Sequence, residues 1–181
     1  ITYRYPGADS DILNGLNFKI KKGSINALMG VNGAGKSTLM NILSGLEEPS
    51  SGEILIHGKS IGTRREYIGY MLQEADLMLL NDSVREELLW NNKTMTEKEL
   101  DILLHKLHVY HYRDDFPLAL SKGQRLRVVL GALLSRRDNE LLLLDEPTTG
   151  QDQKSLENLS ILLSYAAEQG KTIFFCTHDI E

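Results

Sequence analysis

Along this chain the apolar positions follow two different rhythms. At both ends short apolar runs alternate with polar residues and stop at glycine turns. The middle carries helical spacing instead. Residues 1–5 alternate as an edge strand does, Pro6-Gly7 ends them, and Asp9-Ser10-Asp11 makes a turn. Ile12 and Leu13, with Leu16, Phe18 and Ile20, predict a second strand. Lys21-Lys22-Gly23 then turns the chain into residues 25–29, read as a short buried strand. Residues 38–45 predict a helix with Leu39, Ile42, Leu43 and Leu46 on one side. After a turn cluster at 47–52, residues 53–57 and 67–72 predict two further strands.

Between residues 74 and 138 the pattern becomes helical. Ser83-Val84-Arg85-Glu86 and Thr96-Glu97-Lys98-Glu99 each have the hydroxyl and acid of a capping box, so each predicts a helix start. Leu100, Leu103, Leu104 and Leu107 recur at helical spacing and read as core packing. The apolar stretch Leu77-Met78-Leu79-Leu80 reads either as core of this insert or as a docking surface. A helix is predicted over 125–135. Ser121 and Gly123 stand at its start, as an ordinary N-cap or as an anion site built from helix-terminal amides.

The last stretch returns to strands. Leu141 to Leu144 favour helix by propensity, but Asn139 and Pro147 bound a run too short for one. It therefore predicts a strand buried on both faces of a parallel sheet. A helix over 153–169 ends at Gly170, and residues 171–176 form the final strand. The order of elements predicts an α/β chain with a mainly parallel sheet, an antiparallel N-terminal β part and an inserted helical part.

Composition narrows the function classes. The chain has 181 residues, enough for one domain with a substantial core. Its net charge of −5 argues against a nucleic-acid surface. A single cysteine, Cys176, excludes an internal disulfide, and its apolar neighbours make it a small core residue in a reducing compartment. No apolar run approaches the roughly 18 residues needed to span a bilayer, and no signal-like segment is present. The expectation is a soluble chain, or one peripheral to a membrane protein. The missing initiator methionine and the abrupt end at 177–181 suggest a domain excised from a longer protein.

The chemistry is concentrated in Gly30-Val31-Asn32-Gly33-Ala34-Gly35-Lys36-Ser37-Thr38. Strand, glycine loop and helix follow one another there, with the spacing GxxxxGK and then a hydroxyl residue. Gly30, Gly33 and Gly35 are expected to take positive φ and bring backbone amides close to an anion. The following helix adds its positive dipole end. Lys36 reaches the outer phosphates and Ser37 offers a hydroxyl to Mg²⁺. Downstream, Asp145 closes a buried strand where α/β ligands bind, placed to meet the same Mg²⁺, and Glu146 follows it, placed to accept a proton from water. His178 ends the last strand at the same crevice edge as a candidate γ-phosphate contact. Gln73, where a strand meets a loop, reads as a polar surface residue or as a Mg²⁺ or water ligand. Tyr5 reads as a half-buried strand aromatic or as an adenine stacker.

Taken in order, these residues resemble the ATP-binding cassette (ABC) ATPases over essentially all of the chain. Residues 30–38 are similar to the Walker A loop, Gln73 to the Q-loop glutamine, and Leu120-Ser121-Lys122-Gly123-Gln124 to the LSGGQ signature. Residues 141–145 and Glu146 resemble Walker B and the catalytic glutamate. Gly150-Gln151-Asp152 falls at the D-loop, and His178 at the switch histidine. Tyr5 resembles the adenine-stacking aromatic, with Tyr3 a weaker candidate. Two departures stand out. Lys122 replaces the first signature glycine, which costs strain if the position needs positive φ, and Gln151 replaces a hydrophobic D-loop residue. Both departures, with Arg125 and Arg127, resemble the energy-coupling-factor and cobalt-type importer ATPases.

The resemblance implies a P-loop NTPase with a RecA-like core over 1–73 and 139–181 and a helical subdomain over 74–138. It implies ATP and Mg²⁺, with ATP-binding residues Tyr5, Gly30 to Thr38 and Gln73, and metal contacts Ser37, Gln73 and Asp145. Glu146, His178 and Lys36 become the catalytic residues. Ser121, Lys122, Gly123 and Gln124 complete a site in trans, beside the D-loop Asp152. The implied partners are a second ABC ATPase domain and a membrane-spanning transporter subunit at the cytoplasmic face of the cell membrane, with no nucleic acid. The alternative within the family is a soluble ABC protein acting on translation or another macromolecular complex. The short separation of Gln73 from the signature leaves no room for the long coiled coils of the chromosome-type members. A GTPase is disfavoured because Asn92-Lys93-Thr94-Met95 lacks the acid of a guanine reader.

Overall fold

A computed structural model describes residues 1–63, 65–90, 92 and 94–178. In chain order its elements are β1 (Ile25–Met29), α1 (Lys36–Ser44), β2 (Leu55–Ile56), β3 (Lys59–Ser60), β4 (Ile68–Met71), α2 (Val84–Leu89), α3 (Glu97–Lys106), α4 (Lys122–Ser135), β5 (Leu141–Asp145), α5 (Gln153–Glu168) and β6 (Thr172–Thr177), with short 3₁₀ turns between them. Four parallel strands form one sheet in the order β1-β6-β5-β4. β2 and β3 form a separate antiparallel pair. The stretch 92–95, weighed above as a guanine reader, and the chain end at 179–181 fall partly or wholly outside the described residues.

β5 is the centre of this arrangement. It hydrogen-bonds to β6 on one side and β4 on the other, and Leu142, Leu143 and Leu144 are fully buried. Successive side chains on a strand point to opposite faces. Leu142 and Leu144 accordingly join the cluster of Leu88, Leu126, Leu130 and Leu162, while Leu143 joins Leu39, Ile42 and Phe174 beneath α1. Burial on both faces explains why an all-leucine run is a strand here despite its helix propensity. The helices of 74–138 and one face of the sheet share a single apolar cluster, which α4 crosses by packing on α2, β4 and α5. Among the described residues, no helix is long and apolar enough to cross a membrane.

Several predicted elements differ. Residues 1–5 and 12–20 do not form strands; they make only the isolated bridges Thr2↔Ser51 and Tyr3↔Leu13. Side chains from elsewhere in the chain take the amides that a ladder would use. Arg4 N–H donates to Ser50 Oγ, and Gly15 N–H donates to Thr2 Oγ1. The strand expected at 53–57 shrinks to β2. β1 is not buried, because it lies at the sheet edge with Ile25 42% and Met29 50% exposed. Leu46 is 65% exposed rather than on the packed side, since Gly45 ends α1 in the left-handed region before the stripe reaches it. α1 and α4 start two and three residues earlier than predicted, at Lys36 and Lys122.

Candidate active site

The loop joining β1 to α1 exposes Val31, Asn32, Gly33 and Ala34. Gly33 (φ +82°) and Gly35 (φ +87°) adopt the left-handed backbone that glycine favours. Gly35 also has no room for a side chain, since a Cβ there would lie 3.1 Å from Leu13 Cδ2 and 3.2 Å from Ile12 Cγ1. The N-terminal segment thus braces the loop from behind. Gly30 differs from expectation: its φ is not positive, and its part is to offer a carbonyl. Lys36 Nζ donates to Gly30 O (2.7 Å) and Val31 O (3.3 Å), folding its ammonium across the loop, and it lies 3.5 Å from Glu146 Oε1. The pair is nearly fully buried.

Parallel pairing of β5 and β6 carries the acids to the same place. Asp145 is the last residue of β5 and is 3% exposed. Its Oδ1 lies 3.4 Å from Ser37 Oγ and 2.7 Å from Cys176 Sγ on β6. Burial, then the hydrogen bond to Asp145, pushes the Cys176 thiol up to about 12, so it is a protonated donor at neutral pH. Burial, followed by the charge of Asp145, likewise keeps the neighbouring Tyr70 phenol protonated. Tyr70 donates to Asn41 on α1.

Glu146 follows with φ +53°, a left-handed conformation uncommon for residues other than glycine. Its backbone N–H donates to Cys176 O at 3.1 Å. The kink turns its side chain back into the site. Glu146 Oε2 accepts from Thr149 Oγ1 (2.9 Å) and pairs with His178 Nδ1 (2.6 Å). Burial alone would raise the Glu146 pKa, but hydrogen bonds from Thr149 and His178, with the electrostatic pull of His178, outweigh it and hold the carboxyl below its usual range. Backbone strain of this sort concentrates at functional sites.

Tyr5 is half-exposed, with its hydroxyl 2.7 Å from Thr38 Oγ1. Tyr3, the weaker candidate, is buried and meets Tyr5 edge-on at 5.0 Å, so only Tyr5 leaves a ring face open. Gln73 lies just past β4 on a cleft of about 330 Å³ that Asp76, Lys122, Glu146, Thr149 and Gln151 also line. The structure therefore joins Gln73 to Glu146 through one cavity and sets Lys122 on its wall.

Ser121 and Gln124 cap α4 reciprocally. Ser121 N–H donates to Gln124 Oε1 at 2.8 Å, and Gln124 N–H donates to Ser121 Oγ at 3.3 Å. Lys122 is the first helical residue and has no positive φ, so a lysine there carries no left-handed strain. Gly123 leaves space for the neighbouring loop, where a Cβ would lie 3.2 Å from Gln151 Oε1. Asp152 caps α5 by accepting from Ser155 N–H at 2.8 Å. Sequence reasoning missed Thr149, and it took Cys176 only for core. It singled out Arg125 only as a mark of resemblance; in the structure Arg125 pairs with Asp76 at 2.8 Å and donates to Leu118 O and Leu120 O, tying the turn before α4 to the segment after Gln73.

Ser37 Oγ and the Asp145 carboxylate are hard oxygen donors converging on one point. Among the described residues, no cluster of three or more His, Cys, Asp or Glu could form an all-protein metal cage. Few protein oxygens beside a phosphate loop fit Mg²⁺, which keeps waters and phosphate oxygens as its other ligands.

Comparison with known proteins points the same way. Residues 13–149 match the family described as ABC transporter. A relative from Methanosarcina acetivorans, provisionally named an ABC transporter ATP-binding protein, is 39% identical over 94% of this chain; the chain spans 27% of that relative's length. The solved structure of cbiO1 from Clostridium perfringens, described as part of the ABC transporter complex cbiONQ, is 34% identical with a TM-score of 0.85 over 99% of this chain and 76% of its own. The ATP-binding cassette MJ0796, solved in a post-hydrolysis state bound to ADP and Pi, is 29% identical with a TM-score of 0.78 over 99% of this chain and 86% of its own. With its glycine loop and its Asp145-Glu146 pair on one edge of a parallel sheet, this chain belongs to the ABC transporter family as an ATP-binding cassette.

Proposed function

We propose that this chain binds and hydrolyses ATP and that the reaction powers movement of a solute across a membrane. One observation carries the reading: Lys36 and Ser37 meet Asp145 and Glu146, from the far end of the sequence, within 3.5 Å. In this reading 1–73 and 139–181 form the nucleotide-binding core, and 74–138 forms the helical part that carries the signature.

The loop 30–38 cradles the phosphates with its amides and the N-terminus of α1. Lys36 swings from the carbonyls of Gly30 and Val31 onto the outer phosphates, where its charge offsets what develops in transfer. Ser37 and Asp145 would hold Mg²⁺, with Gln73, which shares a cleft with Glu146, as a further contact; the ion would neutralise phosphate charge when bound. Glu146, ionised because its pKa is depressed, takes a proton from the attacking water. His178 fixes the Glu146 carboxylate and reaches the γ-phosphate. Tyr5 stacks on the adenine.

A second cassette closes the site in trans. Ser121, Lys122, Gly123 and Gln124 present the N-terminus of α4 to the partner's nucleotide, with Asp152 at the junction. Closure is then driven by ATP binding and released after hydrolysis. A membrane-spanning subunit receives the motion, so the chain works at the cytoplasmic face of the membrane. The likeness to cbiO1 supports a transporter of the energy-coupling-factor type. The test is phosphate release from ATP. The reading expects turnover that requires Mg²⁺ and is lost in Lys36→Ala. Turnover indifferent to both would overturn it.

A further inference from the structure

We propose that Cys176 is a positioning residue for Asp145, its thiol holding the carboxylate at the orientation that faces Ser37. The inference rests on reading Asp145 as the carboxylate that serves Mg²⁺. Asp145 and Cys176 are register partners on β5 and β6. Both are buried, at 3% and 0% exposure, so bulk water is excluded from the contact between them.

A buried carboxylate needs donors. The contact from Ser37 is at 3.4 Å, near the outer limit of a hydrogen bond, whereas Cys176 Sγ is at 2.7 Å from the same Oδ1. The thiol is therefore in direct contact with Oδ1, and the other donors facing the carboxylate are the hydroxyls of Ser37 and Tyr70. It also stands on a central strand, while the exposed Ser37 is the second residue of α1, next to a loop. A thiol donates only one hydrogen, and among the described residues that hydrogen goes to Asp145 Oδ1, so the bond fixes which way the carboxylate turns. Valine would keep an apolar side chain in the core beneath α1 but remove the thiol donor from Oδ1.

Cys176 is the only cysteine of the chain, so its S–H stretching band in the infrared is unambiguous. The experiment compares that band in the native and urea-unfolded chain and in Asp145→Asn. It then titrates nucleotide binding with Mg²⁺ in wild type, Cys176→Val and Cys176→Ser. A native band shifted to lower frequency than the unfolded one, and moved back towards it by Asp145→Asn, is expected. Cys176→Val should weaken the apparent Mg²⁺ affinity about threefold to tenfold, the effect of one lost hydrogen bond. Cys176→Ser, with a hydroxyl donor, should restore it, and metal-free nucleotide binding should not change.

A native band coincident with the unfolded one overturns the proposal even if neither variant folds. So does an Mg²⁺ affinity untouched by Cys176→Val. If wild-type nucleotide binding shows no Mg²⁺ dependence, the functional reading of Asp145 fails instead, whatever the thiol band shows.

Discussion

Glu146→Gln separates binding from chemistry. Glutamine has the same shape, and its amide oxygen still accepts from Thr149, which now holds Glu146 Oε2 at 2.9 Å. Lys36 loses a carboxylate at 3.5 Å but keeps the carbonyls of Gly30 and Val31. The cradle should therefore stand. What disappears is a group able to take a proton. General-base catalysis contributes about 10²–10⁴-fold, which corresponds to about 3–5 kcal/mol of transition-state stabilisation. Binding should move the other way. The carboxylate competes with phosphate for the Lys36 ammonium, so its neutralisation should leave ATP affinity unchanged or tighter. Wild type and variant share the left-handed backbone at 146, so its strain of about 1–2 kcal/mol cancels in the comparison.

The assay is single-turnover phosphate release beside a nucleotide titration. A pH profile adds a further check. Because the folded pKa of Glu146 lies below its ordinary 4.5, the base form is fully present at neutral pH and persists below pH 4.5. The acid limb that belongs to Glu146 should therefore fall below that value and vanish in the variant. A turnover loss smaller than about tenfold, or a loss of ATP binding, would refute the reasoning.

Two further outcomes follow from the geometry. Lys122→Gly restores the residue type usual in the signature but should lower the melting temperature, costing up to about 1 kcal/mol, because Lys122 is helical; a rise would mean that the lysine is strained. Acid should destabilise the fold through Glu140, whose pKa is lowered by hydrogen bonds from His57 and then Lys22. That stabilisation is complete above the ordinary carboxylate value and is lost as pH falls through the depressed one. Urea midpoints measured from about pH 6 to about pH 3 should fall less steeply in Glu140→Gln, and an unchanged slope would remove Glu140 from this role.

Local signals made much of the site legible. The glycine spacing before Lys36 announces a phosphate loop, and the short leucine run ending in Asp145 and Glu146 announces a buried strand with acids at its end. Both depend on contacts within a few residues. What escaped depends on pairing across the sheet or on a single competing side chain. No local pattern marks Cys176 as a donor, because its partner Asp145 is 31 positions away and becomes a neighbour only through strand register. Thr149 reaches Glu146 only because the backbone at 146 turns left-handed, which glutamate does not advertise. The alternation in 1–5 and 12–20 was real, yet Thr2 and Ser50 captured amides that a longer ladder requires. The lysine at 122 raised a question of strain that only its place as the first residue of α4 answers.

The central claim is that residues 108 apart in sequence act on one metal–triphosphate. A double-mutant cycle of Ser37→Ala and Asp145→Ala, read as the apparent Mg²⁺ affinity in nucleotide binding, tests it most directly. The account predicts that the two losses overlap, with a coupling of about 0.5–3 kcal/mol, so that the double variant is scarcely worse than Asp145→Ala. Losses that simply add would mean that the two side chains serve separate ends, and the account would be wrong.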